Sequence, residues 1–60
     1  MDNAELRRRK EALHLSNFKI NYKTGVHLGV IEDFFAGKSD DLAPRDRRLI
    51  EALIEKEGRR

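Results

Sequence analysis

The chain has no cysteine, one proline and four glycines in 60 residues, and it contains no long apolar run. Each shortage excludes a class of protein. Without cysteine there is no disulfide framework and no thiolate zinc site, so the fold is indifferent to redox compartment and suits a reducing cytoplasm. A single proline and few glycines argue against a β-rich or low-complexity chain and for a compact helical domain. No apolar stretch approaches the roughly 18 residues that cross a bilayer, so no membrane partner is expected. The opening Met1-Asp2-Asn3-Ala4-Glu5 is polar and acidic and does not read as a secretion signal. A cytoplasmic location is the expectation.

The signs of catalysis are also missing. There is no nucleophile elbow, no phosphate-cradling glycine loop and no triad spacing. A chain of this length also lacks the walls of a deep pocket. The expectation is a protein that is not an enzyme and uses no cofactor, metal or small-molecule substrate. His14 and His27, the only histidines, stand thirteen residues apart, whereas helical metal ligands are spaced i,i+3 or i,i+4.

What the chain has in quantity is charge, with 13 basic and 11 acidic residues for a net charge of +2. The two signs are unevenly spread. Residues 16–25 hold Lys19 and Lys23 and no acid, and residues 26–37 hold Glu32 and Asp33 and no base. An Arg7-Arg8-Arg9-Lys10 run and a Gly58-Arg59-Arg60 tail could meet phosphates, or they could simply be a solvated helix face and a frayed end.

Four helices are predicted. The first runs from about Ala4 to His14, opened by Asp2 with Glu5 in capping-box spacing and carrying Leu6 and Leu13 on one face. Ser16 is a good N-cap for a second, over Asn17 to about Lys23, which Gly25 would end. A third covers about His27 to Ala36, with Val30, Ile31, Phe34 and Phe35 at helical spacing and Gly37 closing it. The last has Pro44 in its first turn and a stripe of Leu42, Leu49, Ile50, Leu53 and Ile54, with Arg47–Glu51 and Glu55–Arg59 as i,i+4 pairs, up to Gly58. The expected fold class is all-α, a compact bundle of four short helices in one domain spanning residues 1–60.

The centre of that arrangement is a short helix, a tight turn at Thr24-Gly25-Val26 and a second short helix, the pattern of a helix-turn-helix. Ile20 before the turn, and Ile31 and Phe34 after it, would pin the two helices together. On these residues the chain resembles the lambda-repressor-like helix-turn-helix domains, the group that includes phage Cro proteins and XRE-type regulators. The matching residues are Glu5-Leu6-Arg7-Arg8-Arg9-Lys10-Glu11-Ala12-Leu13, Leu15-Ser16, Thr24-Gly25-Val26, Ile31 and Gly37-Lys38-Ser39, covering roughly residues 5–40. The resemblance implies a sequence-specific DNA-binding transcriptional regulator, a small Cro-like phage or bacterial repressor. Its partner would be double-stranded DNA, and many members of the group act as homodimers.

Carried over position by position, the resemblance assigns the DNA backbone to Asn17, Lys19, Lys23 and Lys38, with Arg7, Arg8 and Arg9 where their faces allow. It lays His27, Leu28, Gly29, Glu32 and Asp33 along the groove. The departures from the family are specific. Asn17 and Lys19 stand where Gln and Glu are common, Asn21 stands where a small residue lets the helices approach, and Phe35 replaces an acid that would pair with Lys10. No Arg, Lys, Gln or Asn lies between Val26 and Gly37, although those side chains are the usual readers of base edges. Phe18, Tyr22, Leu28, Val30, Phe34 and Phe35 cannot all face inward in so small a domain. Phe35 is therefore a candidate for an interface, and the resemblance adds Leu53 and Ile54, because the last helix often forms the dimer seam in related small regulators. These features define the alternative reading, a helix-turn-helix domain reused as a protein–protein interaction module.

Overall fold

The computed structural model describes residues 1–59, which form four helices and no strand. The first helix, α1 (Asn3–Ala12), starts at Asp2, whose carboxylate accepts the Glu5 N–H at 2.8 Å and so satisfies one of the donors a helix start leaves unpaired. Glu5 turns its own carboxylate to Arg9, 2.8 Å away and one turn along. The helix ends slightly earlier than its apolar spacing predicts. His14 adopts the left-handed conformation at φ 55°, and the next bonds run backwards, from Leu15 N–H to the Lys10 carbonyl and from His14 N–H to the Glu11 carbonyl. This is a Schellman stop with histidine in the place usually held by glycine.

Ser16 caps α2 (Asn17–Thr24), its hydroxyl accepting the Lys19 N–H at 3.0 Å. Gly25, at φ 77°, ends it. The third helix, α3 (Leu28–Phe35), lies one residue inside each predicted end, because His27 and Ala36 serve as its caps. The fourth, α4 (Pro44–Glu57), opens on a proline that needs no hydrogen-bond partner in the first turn.

Burial follows the apolar spacing of each segment. Leu6, Leu15, Ile20, Val26, Ile31, Phe34, Ile50 and Ile54 form one core, and no polar residue is buried among the described residues. With α2 packed on both α3 and α4, and α1 packed on α4, the core lies where the inner faces of all four helices meet. Ile54, expected at an interface, belongs to that core at 1% exposure. It stands four residues after Ile50 on the same helical face, so the contact that buries one buries the other. Leu53 lies on the flank of α4, and Phe35 on the flank of α3; both are half-buried and packed against the core.

Two arginines tie the helices together. The Arg7 Nε donates to the Phe34 carbonyl at 2.9 Å, and its Nη2 donates to the Ser39 carbonyl and the Asp40 carboxylate at 3.1 and 2.8 Å. Arg47 reaches from α4 to the Met1 carbonyl and the Asn3 side chain. Both satisfy carbonyls or amides that the chain leaves open where it changes direction.

Candidate functional site

The turn joining α2 to α3 is closed by side chains from α2. Thr24 Oγ1 donates to the Ile20 carbonyl at 2.6 Å and accepts the Val26 N–H at 3.2 Å. Asn21 Nδ2 donates to the Val26 carbonyl at 2.7 Å. Val26 can therefore enter the core at 3% exposure with both of its backbone groups satisfied. The Asn21 amide thus spans the turn.

His27 caps α3, a role that its sequence context does not signal. Its Nδ1 accepts the Gly29 N–H at 3.1 Å, which places the ring proton on Nε2. This also accounts for the glycine inside α3. A Cβ on residue 29 would lie 3.2 Å from His27 Nδ1 and 3.4 Å from its Cε1, so the missing side chain leaves room for the capping ring. His27, Glu32 and Asp33 are exposed on α3, whereas Leu28 and Gly29 are half-buried. Val30, at 37% exposure, joins them. The expected groove-facing set is thus brought together only in part. The exposed part is acidic and apolar, apart from the imidazole.

The expected phosphate-facing residues divide sharply. Arg8, Lys23 and Lys38 are exposed. Arg7 is corrected to a structural role, because its guanidinium is committed to Phe34, Ser39 and Asp40 and stacks 4.5 Å over the Phe34 ring. Lys19 Nζ lies 2.7 Å from the Glu57 carboxylate, tying α2 to α4, and Arg9 is paired with Glu5. Both charges are largely answered within the molecule. Asn17 is half-buried and its Oδ1 is enclosed with no hydrogen-bond partner, so that oxygen faces the protein.

Phe35 supplies a tie between α1 and α3. The Lys10 ammonium sits 5.1 Å over its ring, and the Phe34 and Phe35 rings meet edge to face at 5.0 Å. This cation–π contact between two half-buried residues contributes about 0.5–2 kcal/mol. Phe35 also lines an open groove of about 370 Å³ with Lys10, Glu11, His14 and Leu15. On α2, Phe18 and Tyr22 stand one turn apart at 72% and 83% exposure. No helix among the described residues is long and apolar enough to cross a membrane. Compared with protein-family models, curated proteins and solved structures, the chain matches none.

Proposed function

We propose that the chain is a DNA-binding transcriptional regulator of the helix-turn-helix kind, a small cytoplasmic repressor resembling the Cro proteins. The observation that carries this reading is the locked turn between α2 and α3. Thr24, Asn21 and the left-handed Gly25 hold the two helices in a fixed relation while leaving the outer side of α3 uncovered. Such a unit can lay its second helix in a major groove as a rigid body. Lys23 and Lys38, with Arg8, would meet phosphates, and His27 and Val30 would touch base edges. Glu32 and Asp33 oppose a polyanion, so the affinity rests on the backbone contacts. A second copy of the chain would supply a matching half-site one helical turn away.

The test is an NMR titration of the labelled chain with a mixed-sequence duplex at low and then physiological salt. Shifts concentrated on residues 17–39 and weakening with salt are expected. In parallel, replacing Lys23 and Lys38 by Gln should flatten the plot of log affinity against log salt by about 1.8, at roughly 0.9 per phosphate contact. A titration that leaves residues 17–39 unmoved at low salt overturns the reading.

The second reading, a protein-interaction module, is favoured by the exposed acids Glu32 and Asp33 on the Gly29-containing α3, together with surplus aromatics on α2. Phe18 and Tyr22 form an exposed aromatic pair, the composition that marks protein contacts. It predicts that reversing Glu32 and Asp33 to Lys breaks a protein complex. If the same variant instead gains DNA affinity and loses no partner, this second reading is excluded.

A further inference from the structure

The longest helix sorts its charges by sign. On α4, Arg45, Arg48, Ala52 and Lys56 are all exposed. At 100° per residue they fall within an arc of about 80°, directly opposite the buried Ile50 and Ile54. Arg59, also exposed, follows at the same register just past the helix end. Arg60 lies outside the described residues. Most acids of the helix are turned away from this stripe. Glu51 receives the Met1 amine at 3.3 Å and Arg47 at 3.8 Å, Glu57 receives Lys19 at 2.7 Å, and Asp46 is half-buried. Glu55 alone is exposed, at the stripe's edge. A helix balanced in charge therefore presents a mainly cationic outer face, because Glu51 and Glu57 are held in ion pairs beside the core and Glu55 is the one exposed acid.

We infer that this α4 face is a second, sequence-independent nucleic-acid surface, which holds the phosphate backbone of a duplex. From Arg45 to Lys56 the stripe runs about 16 Å at 1.5 Å per residue. A duplex carries one negative charge per roughly 1.7 Å of its axis, so the stripe lies alongside many phosphates and can neutralise several at once. Its small central residue, Ala52, lets a backbone approach the helix without obstruction. A lipid surface fits less well, because an interfacial helix needs large apolar side chains to insert, and the apolar face of α4 is already used in the core. A second copy fits less well too, since the exposed acids of α3 number two against four cations here. The inference does not depend on α3 reading a sequence, and it gives an acidic third helix a compensating source of affinity.

The experiment measures binding of the full chain to a labelled mixed-sequence duplex by fluorescence anisotropy across a salt series. Arg48→Gln with Lys56→Gln should lower the slope of log affinity against log salt by about 1.8, for two lost phosphate contacts. Ala52→Glu, which places an acid in the middle of the stripe on a good helix former, should weaken binding at low salt by tenfold or more. Ala4→Glu carries the same change of net charge on exposed α1 and should weaken it far less. Equal losses in Ala52→Glu and Ala4→Glu would show an effect of net charge without a binding face and overturn the inference. So would an unchanged slope in the α4 double variant, or α4-dependent binding to phosphatidylserine vesicles with none to the duplex. Sedimentation showing that the free chain self-associates through α4 at 150 mM salt would overturn it as well. A slope lowered by Lys23→Gln with Lys38→Gln but not by the α4 pair would leave the helix-turn-helix reading standing alone. The converse would leave α4 as the binding face and remove α2 and α3.

Discussion

At the scale of single residues, Arg7 shows why a run of cations cannot be read as one surface. Four consecutive basic residues on a helix point in four directions, and one of them faces the gap between α1 and α3, where the Phe34 and Ser39 carbonyls are open. A guanidinium can serve both carbonyls and a carboxylate in one plane; an ammonium cannot. The carboxylate contributes least. The Asp40 side chain is 78% exposed, and a solvated ion pair is worth about 0–1 kcal/mol. Arg7→Lys should therefore cost about 2 kcal/mol of stability, as expected for hydrogen bonds from a charged donor, while Asp40→Asn should cost under about 0.5 kcal/mol. Urea denaturation of the two variants checks this. Equal losses would move the interaction from the carbonyls to the ion pair.

At the scale of elements, three helix ends use the left-handed region, but only two of them use glycine for it. Gly25 and Gly37 sit at φ 77° and 80°, and His14 sits at 55°. A side chain in that region costs about 1–2 kcal/mol. Glycine gives back part of the difference through its greater freedom in the unfolded chain. His14→Gly should therefore stabilise the protein by about 0.5–1 kcal/mol. Gly25→Ala should destabilise it by about 1–2 kcal/mol, although a Cβ there meets nothing within 4 Å, so the cost is purely one of backbone conformation. Thermal melts followed by circular dichroism read both. A destabilising His14→Gly would mean that the imidazole makes contacts worth more than the strain.

At the scale of the whole molecule, little margin is available. A domain of this length has about 3–9 kcal/mol of stability at 0.05–0.15 kcal/mol per residue, and its core consists of eight side chains. Phe34 is fully buried, carries Arg7 over its face and meets Phe35 at its edge. Removing its ring costs about 3–5 kcal/mol. Phe34→Ala should leave the chain largely unfolded at 37 °C, with lost helical circular dichroism and collapsed amide dispersion. Phe34→Leu should remain folded. A well-dispersed spectrum for Phe34→Ala would show that α1 and α4 hold together without the Phe34 contacts.

Much of this architecture was determined by the sequence, since helix ends and apolar faces are local properties. Asp2, Ser16, Gly25, Gly37 and Pro44 act within a few residues of themselves, and the i,i+3 and i,i+4 spacing of Ile31, Phe34, Ile50 and Ile54 fixes an inner face before any partner is present. His14 escaped that reading because a histidine in the left-handed region leaves no mark in composition, and the His27 cap escaped it because a ring nitrogen is an uncommon acceptor there. The candidate site was less legible. Whether Arg7 or Lys19 is offered to a ligand depends on partners 27 to 38 residues away along the chain, and such pairings exist only once the helices have packed. The same packing draws Glu51 and Glu57 of α4 into ion pairs and leaves Arg45, Arg48 and Lys56 outside. Sequence spacing sets which face of a helix a charge lies on; only the tertiary structure decides which of those charges is already neutralised, because that depends on the distance between groups brought together by the core.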